Sequence, residues 1–232
     1  MKTIGLLGGM SWESTMTYYQ QLNSGVKKAL GGLHSAKIVL NSVDFQPISE
    51  MQHEGDWAGT AKILCEAAQG LEKAKADCVL ICTNTMHYVA DEVANSVDIP
   101  LIHLADATAE HIVSNNQKTV GLLGTAFTME QDFYKGRLQN KYGLNVLVPE
   151  KEDRELVHKI IYEELCLGHI NDSAKQEYLR IINDLALKGA ESIILGCTEI
   201  GLLVKQQDTQ IELCDTTEIH IKKALEFALE KF

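Results

Sequence analysis

No run of 18 apolar residues occurs in the 232-residue chain, so no segment reads as a membrane-spanning helix. Low-complexity stretches and long polar linkers are also missing. The length then allows one large domain or two small ones. Positive charge is in short supply: 21 Lys and Arg against 32 Asp and Glu leave a net charge of -11. That balance argues against nucleic acid or an anionic membrane as partner, and says little about a small substrate. The six cysteines have no disulfide-like spacing. No secretory signal is read either: the apolar run in MKTIGLLGGMSWEST is too short and meets Glu13 at once. A reducing cytoplasm is the expected compartment. Gly5-Leu6-Leu7-Gly8-Gly9 lacks the Gly-Lys-Ser/Thr of a phosphate loop and the spacing of a dinucleotide loop. Cys78 and Cys82, four apart on a strand, do not make a metal pair, and no metal site is expected.

What is present is a repeat. Lys2 to Gly8 reads KTIGLLG and Lys118 to Gly124 reads KTVGLLG, and at the same offset Tyr18 falls on Tyr134. Ala76-Asp77-Cys78-Val79-Leu80-Ile81 pairs with Ala190-Glu191-Ser192-Ile193-Ile194-Leu195. Asp106-Ala107-Thr108 pairs with Asp215-Thr216-Thr217. Short runs rich in Val, Ile and Leu predict buried parallel strands near 2–8, 37–43, 77–83 and 100–104, with counterparts near 118–124, 144–148, 191–197 and 210–214. Helical patterns fill the gaps, as at 57–73, 172–188 and 216–232. The expected fold is α/β: two pseudo-symmetric three-layer α/β/α halves, each with a short, mostly parallel sheet. The first half takes 1–98 plus 208–232 and the second 99–207, with the last helix packing back onto the first half. A site is expected in the cleft between them.

In open α/β sheets, sites form at the carboxyl ends of strands. Two such ends are crowded with small polar side chains: Cys82-Thr83-Asn84-Thr85-Met86-His87 and Gly196-Cys197-Thr198-Glu199-Ile200. Facing one another, they suit proton removal on one face of a carbon and proton return on the other. A thiol, with an ordinary pKa near 8.5 that a helix N-terminus can lower, serves as base in one direction and acid in the other.

These residues resemble the aspartate/glutamate racemase family, which includes glutamate racemase and maleate isomerase. The likeness is carried by GLLGGMSWEST at the start, CTNTMH at 82–87, GLLGT at 121–125, MEQDFY at 129–134 and GCTEIGLLV at 196–204. It spans nearly the whole chain. It implies two similar α/β halves with the site between them, a homodimer, an amino-acid substrate such as aspartate or glutamate, and no cofactor.

One departure matters. The family carries a cysteine directly before Asn-Thr in the first motif, where this chain has Thr83 and places Cys82 one residue earlier. Matching Ala76 to Ala190 sets Thr83 opposite Cys197. A one-residue slip would turn Cys82 away from the cleft. The chain looks most like the bacterial subgroup with threonine in that slot. The catalytic pair is therefore read as Cys197, which abstracts, and Thr83, which returns the proton directly or through water. One enantiomer is then expected to turn over faster. Met10, Ser11, Asn84, Thr85, Thr198 and Glu199 are expected around the substrate's carboxylate and ammonium, with Thr125 beside them. Gln52, read as lying in a loop after the second strand, faces the substrate side chain. Glu164 is expected to contact the ammonium or orient Cys197. His87 is read as a packing or capping residue, and His103 as either structural or cleft-lining. No arginine stands in 45–55 to clamp a side-chain carboxylate, which leaves a neutral analogue such as homoserine open. The rival readings are a maleate isomerase or malonate decarboxylase of the same superfamily, and a non-catalytic amino-acid-binding protein.

Overall fold

The computed structural model describes residues 1–230. The chain forms two compact units: Met1–Leu104 with the stretch from His220 on, and Ala105–Ile219. The junctions read from sequence, after residues 98 and 207, lie ahead of both crossings.

The first unit opens with β1 (Ile4–Gly8), α1 (Trp12–Leu30), β2 (Ile38–Ser42), α2 (Phe45–Glu54), α3 (Trp57–Lys73), β3 (Cys78–Ile81) and α4 (Ala90–Asn95). A 3-10 turn, Thr85–Val89, separates β3 from α4. α5 (Leu104–Ser114) carries the chain into the second unit, which holds β4 (Thr119–Gly124), α6 (Ala126–Glu130), α7 (Lys135–Tyr142), β5 (Asn145–Leu147), α8 (Lys151–Glu163), α9 (Asp172–Leu187), β6 (Ser192–Gly196), α10 (Ile200–Leu203) and β7 (Glu212–Asp215). α11 (Thr216–Leu229) returns the chain to the first unit. The expected final helix ran to Phe232, whose last two residues lie outside the described residues.

Both sheets are wholly parallel, in the orders β2-β1-β3 and β5-β4-β6-β7. The strand expected at 100–104 is reduced to one bridge, Val79 to Leu101, because the chain turns into α5 almost at once.

Strand alternation sorts the first sheet into two buried faces. Leu7, Val79 and Ile81 join Ile48, Leu64, Ala68 and Leu71 from α2 and α3. Ile4, Leu6, Cys78, Leu80 and Cys82 join Tyr18 and Leu22 of α1 and Ile221, Ala224 and Ala228 of α11. That is a three-layer arrangement, and α11 does pack on the first half. In the second unit α6, α8 and α9 pack on β4, whose Val120, Leu122 and Leu123 are fully buried. Gly5 and Gly121 keep the central strands close to their neighbours: a Cβ at Gly5 would lie 2.7 Å from the Cys78 carbonyl, and one at Gly121 2.5 Å from Ile193 Cδ1. Among the described residues no helix is long and apolar enough to cross a membrane.

Candidate active site

Once the KTIGLLG and KTVGLLG repeat sets Gly5 on Gly121, the internal register of each sheet carries the alignment across to the other strands. Across the first sheet one row reads Val39, Gly5, Val79, Leu101. Across the second the matching row reads Leu147, Gly121, Ile193, Leu213. Val79 therefore stands where Ile193 stands, and four residues on, Thr83 stands where Cys197 stands. A second likeness explains why Asp77 and Glu191 match. Asp77 Oδ2 accepts the Thr3 N–H at 2.6 Å, and Glu191 Oε2 accepts those of Lys118 and Thr119 at 2.6 and 2.8 Å. Each carboxylate ties the start of its central strand to the start of its neighbour. The same rows correct the third repeat pair. Leu101 matches Leu213, so Asp215 corresponds to His103, not to Asp106.

The turn after β3 is held from several sides. Cys82 is buried in the apolar face of the sheet, and burial pushes its thiol far up. Its carbonyl accepts the Ser14 hydroxyl at 2.8 Å. Thr83, next along, is half-buried, while Asn84 and Thr85 are buried. His87 Nδ1 lies 2.8 Å from the Thr83 carbonyl, and His87 Nε2 accepts the Leu104 N–H at 3.2 Å. The glycine loop after β1 is ordered by Thr15. Its Oγ1 accepts the Gly9 N–H at 2.8 Å and donates to the Ser11 carbonyl at 2.8 Å. Gly9 has φ +99°, and a Cβ there would lie 2.2 Å from the Val43 carbonyl. Ser11 caps α1 through the Ser14 N–H. The Met10 side chain belongs to the apolar core, so only its backbone is available to a ligand.

The turn after β6 carries Cys197, half-buried, whose Sγ donates to Glu199 Oε2 at 2.9 Å. Thr198 Oγ1 donates to the same oxygen at 2.6 Å. Burial first, then the Glu199 carboxylate, push the thiol well above its ordinary value. The sequence reading allowed for a helix N-terminus lowering it. The helix that follows has only four residues, and the nearby carboxylate acts in the opposite sense. Glu164, at the end of α8, accepts from Asn171 Nδ2. Thr125 is buried and caps α6 through the Thr128 N–H at 3.4 Å. His158 Nδ1 accepts the next amide, that of Ala126, at 3.1 Å.

Gln52 does not lie in a loop. Asp44 caps a helix there by accepting the Gln46 N–H at 3.3 Å, and Pro47 falls in its first turn, where proline is tolerated. Gln52 is buried on this helix, and its Nε2 has no hydrogen-bond partner. The reading from sequence also gave His87 no bond to Thr83 and placed Glu199 with substrate-binding groups rather than on the thiol. The four-residue spacing from Thr83 to His87 was the available signal for the former, since it is one helical turn.

Among the described residues one group has metal-ligand composition: His111, Glu212 and Cys214, with donor atoms within 4.8 Å of one another. Its carboxylate is already engaged. Glu212 accepts from Asn115 Nδ2 at 3.0 Å and Gln117 Nε2 at 2.7 Å.

A family model described as Asp/Glu/hydantoin racemase matches residues 7–224. A crystal structure from Yersinia pestis, of a protein provisionally described as an Asp/Glu racemase, is 52% identical with a TM-score of 0.95, covering 99% of this chain and 100% of that one. An aspartate racemase homologue from Pyrococcus horikoshii OT3 is 37% identical with a TM-score of 0.87, covering 98% of this chain and 99% of that one. A glutamate racemase from Hydrogenobaculum sp. (strain Y04AAS1) is 31% identical over 140 residues, 60% of this chain and 52% of that protein. That match thus spans about half of the relative's length.

Proposed function

The chain belongs to the Asp/Glu/hydantoin racemase family, and from that premise we propose that it racemises aspartate or glutamate in the cytoplasm without a cofactor. Cys197 and Thr83 are taken as the two groups that work on opposite faces of the substrate Cα. The observation that supports this reading is the pair of strand rows, which, matched through Gly5 and Gly121 of the repeat, set Thr83 and Cys197 at corresponding positions after β3 and β6.

The thiol must first lose its proton. Glu199 Oε2 already accepts a hydrogen bond from Cys197 Sγ and is the group that takes it. The thiolate removes the Cα proton. The carbanion-like state is stabilised by N–H groups and hydroxyls around the substrate carboxylate, drawn from the loop at Met10 and Ser11 and from Asn84, Thr85, Thr125 and Thr198. A proton then reaches the opposite face from the Thr83 hydroxyl or a water it holds, and solvent restores it. Glu164 serves the substrate ammonium. Gln52 offers a buried amide donor with no partner, which supports a substrate side chain that ends in an acceptor such as a carboxylate.

The same reading takes the chain as a homodimer. Trp12, Met16 and Tyr19 lie at helical spacing on α1 and are 59%, 58% and 55% exposed, which supports an apolar contact between copies. Sedimentation of the wild type and of Met16→Lys tests this: a dimer weakened by the lysine is expected, and a wild-type monomer contradicts it.

The activity itself is tested by incubating each enantiomer of aspartate and glutamate with the enzyme. Appearance of the mirror form, followed by chiral chromatography without added cofactor, is expected. Binding without interconversion would leave only a binding protein.

A further inference from the structure

We propose that His87 is a positioning residue for Thr83, its ring locking the Thr83 carbonyl to the Leu104 amide and so fixing where the threonine hydroxyl is presented. This rests on the reading of Thr83 as the proton-returning residue.

The two hydrogen bonds determine the state of the ring. A backbone amide can only donate, so Nε2, which takes the Leu104 N–H at 3.2 Å, carries a lone pair. A carbonyl can only accept, so Nδ1, 2.8 Å from the Thr83 oxygen, carries the proton. The ring is therefore neutral and in one tautomer. It is 3% exposed and packs on His103 with ring centroids 4.6 Å apart, which removes its freedom to swing. Together with the Ser14 bond to the Cys82 carbonyl, it pins the carbonyls on both sides of the Thr83 nitrogen and α-carbon.

The second half has no such device. Four residues after Cys197, where His87 would stand, is Gly201, and a Cβ there would already lie 2.5 Å from Asp215 Oδ2. Cys197 is served by Glu199 instead, a direct proton partner. The asymmetry follows the chemistry. A thiol can be helped by a base, whereas a hydroxyl, barely ionised near neutral pH, depends on placement. Misplacing a reacting group by about 1 Å can cost about a hundredfold in rate.

The test uses His87→Asn and His87→Gln in heavy water. Asn keeps a donor near the Nδ1 position and so keeps the bond to Thr83. Gln reaches the Nε2 position and loses that bond. For the enantiomer that Cys197 deprotonates, two rates are read in one sample: Cα deuteration with retention, and inversion. Their ratio does not depend on the amount of folded enzyme. We expect His87→Gln to raise the retention-to-inversion ratio by about tenfold, with His87→Asn staying near the wild type. Equal ratios in the two variants, or parallel loss of both rates in His87→Gln, would overturn the proposal. Thr83→Val, run alongside, tests the parent reading separately. If it inverts like the wild type, that reading fails. If it loses inversion but keeps exchange with retention while the two His87 variants agree, only the role of His87 fails.

Discussion

Cys197 and Glu199 share a hydrogen bond of 2.9 Å, sulfur to carboxylate, on the turn that closes the central region of the second sheet. A carboxylate so close stabilises the protonated thiol and accepts its proton when it leaves. Removing the charge should therefore lower the thiol's pKa while removing the base. Alkylation of Cys197 by iodoacetamide, read by peptide mass spectrometry against pH, separates the two effects from turnover. The midpoint in Glu199→Gln is expected below that of the wild type. An unchanged or higher midpoint would mean that the carboxylate does not act on the sulfur. Peptide resolution is needed because Cys166 is exposed.

Unlike groups on the two faces make the two directions unequal in a restricted way. L and D forms are equally stable, so kcat/KM must be the same in both directions, and the inequality lies in kcat and KM taken separately. Thr83→Cys supplies a second sulfur. It is expected to raise kcat in the slower direction by about tenfold or more, since a better acid and base replaces a poor one. Polarimetry from each enantiomer reads this. No change in the kcat ratio would argue that Thr83 does not act on the substrate.

The register also separates Cys82 from the chemistry. Its sulfur lies in the apolar cluster with Tyr18, Leu22 and Ile221. Cys82→Ser puts a hydroxyl there and is expected to cost about 1–3 kcal/mol of stability, while most racemisation survives. Urea unfolding and an activity assay together measure both. Full stability with abolished activity would reverse the alignment of the two motifs.

A buried histidine couples folding to pH. His220 Nδ1 accepts from the Tyr18 hydroxyl at 2.8 Å, and Nε2 donates to the Ile102 carbonyl at 2.7 Å. Burial, the largest cause, lowers its pKa to about 3. Its unfolded value is near 6.5, so between these limits the unfolded chain binds more protons. The contribution of this neutral histidine is complete above about pH 6.5 and declines as pH falls toward 3, by at most about 1.4 kcal/mol per unit. Urea unfolding at pH 4, 5, 6 and 7 should show a shallower slope in His220→Gln than in the wild type. Identical slopes would show that this ring does not titrate on unfolding.

Much of the architecture was legible because buried parallel strands write their pattern plainly. The helix expected at 57–73 is α3 to the residue, and the KTIGLLG repeat marks the two central strands. Short polar motifs were less reliable. The Asp-x-Thr likeness at 106 and 215 suggested a pairing that the sheet rows, visible only in the structure, replace with Asp215 and His103. The stretch 45–55 looked like a loop because Asp44, Pro47 and Gly55 punctuate it. They prove to be a cap, a first-turn proline and a left-handed terminator of one helix. At the site, sequence could name Thr83 and Cys197 but not their partners. Whether Glu199 turns toward the sulfur, or His87 toward a carbonyl four residues back, depends on side-chain direction.

The most direct test of Cys197 as the abstracting base is Cα hydrogen exchange in heavy water, with aspartate and glutamate as substrates and mass spectrometry as readout. Wild-type enzyme is expected to introduce deuterium at Cα while forming the opposite enantiomer, and Cys197→Ala, folded to the same circular dichroism spectrum, to introduce none. Deuteration by Cys197→Ala at the wild-type rate, or none by the wild type with either amino acid, would contradict it.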